Sequence, residues 1–288
     1  MRASNYHQKG NTVAPGTIDG WLSVEGPFDS RDIEGLEKFG PIAKLSLTKQ
    51  DLITAKIANG FGSLASVNWL WLWCSVTRTA MRNIMAIPNL EVLDILEFQD
   101  PGKLANFSQA TSLRIFRCNH YMTEADLVEI SSLPALQELG AQNSEITPKA
   151  LETLLCHPTL ERIDLEATEF TDAMAAMVAG SKSIKHLEIG ASRITSRGLK
   201  LISEMRQLRT LDIWATDIAE QDLELLANLP ALESLSIGGA DGQTSLTAKG
   251  TLPRLKQITS LKRVWLDGIS LSPSEKSELE RRYEYFRN

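Results

Sequence analysis

Leu208 to Ala231, LRTLDIWATDIAEQDLELLANLPA, contains the pattern from which most of the chain is built. Leu208, Leu211 and Ile213 open it, and the alternation at Leu211 and Ile213 describes a strand with one buried face. Thr216-Asp217-Ile218 follows as a turn, and Leu223, Leu226 and Leu229 then recur at helical spacing before Leu232 starts the pattern again. One unit is therefore a short strand, a turn and a helix.

Working outward, the strand openings are Ile42, Val67, Leu90, Leu113, Leu136, Leu160, Ile184, Leu208, Leu232 and Leu261, separated by 25, 23, 23, 23, 24, 24, 24, 24 and 29 residues. Apolar residues recur three and five places after each opening, from Leu45 and Leu47 through Leu70 and Leu72 to Val264 and Leu266. The returns begin with hydroxyls that can accept a bond from a free helical amide, at Thr123 with Asp126, Thr147 with Pro148, Thr171 with Asp172, and Thr195 with Ser196. Trp21, Leu22 and Val24, followed by Ile33, Leu36 and Phe39, give a degenerate first unit of the kind that caps a repeat array.

The pattern LxxLxLxxTxIxxxxLxxLxxLPxL resembles the leucine-rich repeat family over nearly the whole chain. The resemblance implies an α/β fold, a right-handed horseshoe solenoid with a parallel sheet on its concave face and helices on its convex side. The family often carries Asn or Cys at the ninth place, where this chain has Ser144, Thr168, Ser192 and Thr216. Hydroxyls can satisfy the same backbone groups, so the turns are expected to persist.

The expected organisation is a flexible leader over 1–17, the solenoid over 18–270 and a C-terminal capping helix over 271–288. The leader holds few apolar residues with which to order itself. The long unit after Ile237 places its extra residues in GGADGQTS, a loop excursion. Ser272-Pro273-Ser274-Glu275 starts a last helix, with Leu279, Tyr283 and Phe286 on one side to close the core.

A net charge of −6 argues against a general nucleic-acid binder and favours a cationic partner. No apolar run reaches the roughly 20 residues needed to cross a bilayer, and the first residues lack the apolar centre of a signal peptide, so the expected location is cytoplasmic and no membrane partner is expected. Three cysteines without paired spacing do not make a disulfide framework.

With the register set, the third, fifth, seventh and eighth places of each unit face the concave side. Trp69, Trp71, Trp73, Trp214 and Trp265 fall on such places, while Trp21 lies where the register is too loose to assign a face. Three indoles alternating on one strand form an aromatic patch of the kind that marks a binding surface. The two competing readings are a one-residue slip of this strand, which would exchange its faces, and a patch covered by the leader or by a second copy. On the same face stand Asp94, Glu97, Glu138, Asp164, Glu166, Glu188 and Asp212, opposed mainly by Arg117 and Arg162. Asp164, Glu188 and Asp212 occupy equivalent places about 4.8 Å apart, a column of like charge that a basic ligand would relieve. The ordinary reading of such acids is a solvated face.

Cys74, Glu97, His120 and Asn143 share the eighth place, which raises a cysteine hydrolase using Cys74 and His120. Two rungs separate thiol and imidazole, and no oxyanion turn is aimed at them. No set of His, Cys and carboxylates converges for a metal, and no phosphate-binding or hydrolase motif is present, so no cofactor or catalytic residue is assigned.

The reading reached is non-enzymatic recognition of a basic protein, a toxin or enzyme in the immunity-protein or inhibitor version. Its contact residues would be Trp69, Trp71, Trp73, Asp94, Glu97, Arg117, His120, Asp164, Glu166, Glu188, Asp212, Trp214 and Trp265. The solitary array is similar to bacterial cytosolic leucine-rich repeat proteins. An exported effector that binds a host protein would share the same surface and stands as the alternative, with the cysteine hydrolase behind it.

Overall fold

The computed structural model describes residues 17, 18, 20–100, 103, 104, 107–239 and 244–287. The expected leader lies outside the described residues up to 16, as do 240–243 of the glycine-rich excursion. The chain divides into two compact units, Met1–Ala141 and Gln142–Asn288.

In the first unit β1 (Thr17–Ile18) pairs antiparallel with β2 (Trp21–Glu25). From there β3 (Lys44–Ile53), β4 (Trp69–Val76), β5 (Val92–Phe98), β6 (Ile115–His120) and β7 (Glu138–Ala141) are added in sequence order, each parallel to its predecessor. The second unit repeats this with β8 (Arg162–Asp164), β9 (His186–Glu188), β10 (Thr210–Asp212), β11 (Ser234–Gly238), β12 (Arg263–Asp267) and β13 (Tyr285–Arg287).

The register follows the apolar pattern. Leu45, Leu70, Leu93, Phe116 and Leu139 pair in one row of the first unit, and Ile163, Leu187, Leu211, Leu235 and Val264 in one row of the second. All of them are fully buried against the returning segments, and each contributes roughly 1.5–3 kcal/mol through the apolar surface it removes from water. The architecture in both units is that of a leucine-rich repeat α/β fold.

The helix starts use the hydroxyls picked out in the sequence, with one change. Thr123 and Asp126 form a capping box at Glu124–Ile130, and Thr147 caps Pro148–Leu155. Thr171 makes no side-chain cap bond. Its neighbour Asp172 reaches forward one repeat instead, accepting the Thr195 and Gly198 amides at 2.9 and 3.1 Å and the Thr195 hydroxyl at 2.7 Å. Gly198 permits this, because a Cβ there would stand 2.5 Å from the Asp172 carboxylate.

Three of the four ninth-place hydroxyls tie the turns as expected. Thr168 donates to the Leu165 carbonyl at 2.7 Å, Thr216 to Ile213 at 2.6 Å and Ser144 to Gln142 at 2.9 Å, whereas the buried Ser192 hydroxyl has no hydrogen-bond partner among the described residues. Just before them Ala167, Ala191 and Ala215 turn the chain with φ of 56°, 50° and 51°, in the left-handed region that alanine adopts at a cost.

The chain end differs from expectation. The last helix stops at Arg282, Tyr283 is extended, and Phe286 lies on β13 paired with Val264, not on a helix face. Leu279 and Tyr283 are buried, so the helix does cover the core, but the final residues add a strand. Phe286 occupies the place that an apolar strand residue holds in every earlier unit.

Candidate functional site

The phase of β4 decides the surface of the first unit. Leu70 and Leu72 are fully buried, Trp69 and Trp71 are half-buried, and Trp73 is 48% exposed. The indoles therefore stand on the open face of the sheet while the leucines beside them fill the core, and the one-residue slip is excluded.

The register also brings Trp21 to this face. It pairs with Lys44, which pairs with Trp69, so the four indoles share one surface. Trp21 meets Trp69 edge to face at 4.9 Å and Trp71 at 6.0 Å, and Trp71 meets Trp73 at 5.8 Å. Such pairs contribute about 0.5–1.5 kcal/mol each beyond their burial. The Lys44 ammonium lies 5.3 Å from the centroid of Trp69 and 5.9 Å from that of Trp21, drawn to the negative faces of the rings. Beneath them, Ser46, which pairs with Ser23 and Trp71, is 3% exposed and its hydroxyl has no hydrogen-bond partner among the described residues.

Sequence reasoning missed Trp21, Lys44 and Ser46. The signal was present, since Trp21 precedes Lys44 by 23 residues, the same spacing that separates later units.

The next strands carry a paired polar row. Asp94, Arg117 and Gly140 are register partners. Arg117 bonds Asp94 at 2.8 Å and Glu138 at 2.7 Å, and the Trp69 ring nitrogen donates to Asp94 at 2.7 Å. Gly140 leaves the space in which the Arg117 side chain lies, because a Cβ there would meet it at 3.0 Å. Of the acids expected on this face, Asp94 and Glu138 are thus both engaged by one guanidinium.

The eighth-place column forms differently from expectation. Glu97 pairs with His120 on one side, but on the other its register partner is Ser75 and not Cys74, because the pairing of β4 with β5 shifts between Leu72 and Ser75. Ser75 donates to Glu97 at 2.6 Å. Cys74 is turned inward and buried, and burial pushes its thiol pKa up to about 12. A thiol so placed is neither reachable nor ionised near neutrality, and the hydrolase arrangement loses its nucleophile. Asn143 lies in the second unit, exposed, with φ of 47°.

In the second unit Asp164, Glu188 and Asp212 are direct register partners, followed in the same row by Ser236 and Trp265. Burial, with Glu188 adding to it, holds the Asp164 carboxyl up to about 7. Burial likewise holds Asp212 up to about 6, and raises Glu166. Arg162 pairs with Glu188 at 2.5 Å. Asp164 accepts Gln142 at 2.7 Å and the Glu166 amide at 3.0 Å, and Asp212 accepts the amide of the half-buried Trp214 at 2.8 Å. His186 bonds Thr210 at 2.8 Å, and burial pulls its pKa down to about 4. Trp265 meets Tyr285 at 5.2 Å between ring centroids, the planes tilted by 42°.

Among the described residues no group of three or more His, Cys, Asp or Glu is placed to hold a metal ion, and no helix is long and apolar enough to cross a membrane. No family model matches the sequence, and no curated protein matches it. Among solved structures, an internalin from Listeria monocytogenes is similar at a TM-score of 0.52 and 18% identity, covering 93% of this chain and 86% of that one. At that identity the likeness carries the leucine-rich repeat fold alone.

Proposed function

We propose that the protein is a recognition scaffold that binds another protein through the open face of its sheet. The observation that carries this reading is the row Trp69, Trp71 and Trp73 standing outside the core while Leu70 and Leu72 fill it. Large, rigid indoles lose little conformational freedom on binding and dominate interface energetics. Trp69, Trp71 and Trp73 serve as anchors in the first unit, beside Asp94, Glu97, Arg117 and His120. In the second unit Asp164, Glu166, Glu188 and Asp212, with Trp214 and Trp265, favour a partner with a basic surface, whose cations offset the repulsion within the carboxylate row. An inhibitor of a basic toxin or enzyme fits this pairing of aromatic anchors with carboxylates.

The experiment is capture of the partner from the native cell with the parent protein and with Trp71→Ala, followed by affinity measurement. Loss of a central indole is expected to weaken binding by more than about 2 kcal/mol. Affinity unchanged in the Trp69, Trp71 and Trp73 variants alike would remove the assignment.

A further inference from the structure

We infer that the partner presents an arginine to Trp73, its guanidinium stacked on the indole and paired with the carboxylate of Glu97. This rests on the recognition reading above and gives the anchor its chemistry.

Trp73 is the most exposed of the described tryptophans, and its neighbour Trp71 meets it edge to face, at 5.8 Å between centroids. On the adjoining strand β5, Asp94 is the register partner of Trp71 and Glu97 that of Ser75, the positions two before and two after Trp73. Trp73 is therefore bracketed by two carboxylates. Asp94 is engaged by Trp69 and Arg117. Among the described residues Glu97 accepts neutral donors alone, the Ser75 hydroxyl at 2.6 Å and the Gln99 side-chain amide at 3.1 Å, and no basic side chain forms an ion pair with it. On β5 and β6 this face sets two carboxylates, Asp94 and Glu97, against one guanidinium, Arg117, which is engaged by Asp94.

The charge complement of that end is a cation. The other end of the indole cluster already holds one, since Lys44 lies over Trp69 and Trp21. A neutral or acidic occupant would cover Glu97 without pairing it, which is costly. Arginine fits better than lysine, because its planar guanidinium can stack on a ring and still direct its edge to a carboxylate one strand, about 4.8 Å, away.

The test titrates the full chain with the peptide acetyl-Gly-Arg-Gly-Arg-Gly-amide and with its citrulline analogue, following the indole N–H resonances by NMR. The expected result is a saturable shift of the Trp73 resonance with the arginine peptide alone, and a Kd raised on the order of tenfold by Glu97→Gln. Equal shifts with the citrulline peptide, measured on the unaltered protein, would overturn the inference whatever the variant does. So would an affinity that Glu97→Gln leaves unchanged. Capture of the native partner separates this failure from failure of the scaffold reading. If capture depends on Trp71 but is indifferent to Glu97→Gln and to competing arginine peptide, the arginine anchor is wrong and protein recognition stands. If capture is indifferent to Trp71 as well, recognition through this face is wrong.

Discussion

Arg78 holds Asp126 in a buried, two-pronged ion pair, with Nε on Oδ1 at 2.9 Å and Nη2 on Oδ2 at 2.6 Å, the residues being 5% and 1% exposed. The guanidinium also donates to the carbonyls of Tyr121 and Asp100 and lies over the Phe98 ring, while Asp126 serves at the same time as the capping-box acid of Glu124–Ile130. One pair thus ties three successive repeats of the first unit. Arg78→Ala leaves a buried carboxylate without its cation and is expected to cost about 3–5 kcal/mol. Replacing both partners together by Met and Leu should cost less than Arg78→Ala alone. Urea unfolding of the parent and the two variants checks the order, and a single variant milder than the double one would contradict it.

The carboxylate row of the second unit makes stability fall as pH rises. Asp164 and Asp212 are held at about 7 and about 6, above the ordinary 3.8, so their contribution is complete below that value and is lost as pH climbs through 6 and 7. His186 works in the opposite sense at lower pH: depressed from 6.5 to about 4, its contribution is full above 6.5 and is lost as pH falls toward 4. The interval from about pH 6.5 to about pH 7.5, below the range in which the two buried thiols begin to contribute, therefore isolates the carboxyls. The urea midpoint is expected to drop across it, and Asp164→Asn to flatten the drop. A midpoint that rises over that interval would contradict the placement of these acids.

Ala191 and Ala215 occupy left-handed turns at φ of 50° and 51°. Glycine adopts that conformation without the steric penalty, though it brings more freedom to the unfolded chain. Ala191→Gly and Ala215→Gly are each expected to stabilise the fold by up to about 1 kcal/mol, read as a higher thermal midpoint. Gly190→Ala should act the other way, since its Cβ would lie 2.9 Å from Asp212 Oδ1 and 3.1 Å from the Trp214 carbonyl.

The three thiols differ in access. Cys156 is exposed, whereas Cys74 and Cys118 are buried and held at about 12, both chiefly by burial. Iodoacetamide under native conditions is expected to modify Cys156 rapidly and the other two only after unfolding in urea. Mass spectrometry of the labelled chain reads this directly, and early labelling of Cys74 would restore it as a candidate nucleophile.

The repeat was legible because burial on one side of every strand imposes the same short pattern each time, and Leu70, Leu72 and their equivalents obey it without exception. The outward placement of Trp69, Trp71 and Trp73 followed from that regularity. What could not be read were departures from the period. The shifted pairing of β4 with β5 put Ser75 beside Glu97 and turned Cys74 inward, and no spacing rule announces a bulge. Arg117 was read as opposing the acids, but which of them it engages was hidden, since that depends on how a long side chain lies over Gly140. Phe286 is half-buried on a strand and not on the expected helix face, because an apolar residue can cover the end of the core from either element.

The strict pairing of strands has a consequence for how such a surface can change over generations. Because Asp164, Glu188, Asp212, Ser236 and Trp265 each occupy the same coordinate on successive strands, every one is a separate address on a lattice whose backing is supplied by other residues. A substitution at one address rewrites what the surface says there and leaves its supporting leucines untouched. The character of that face can in this way drift one letter at a time while the scaffold that displays it stays constant.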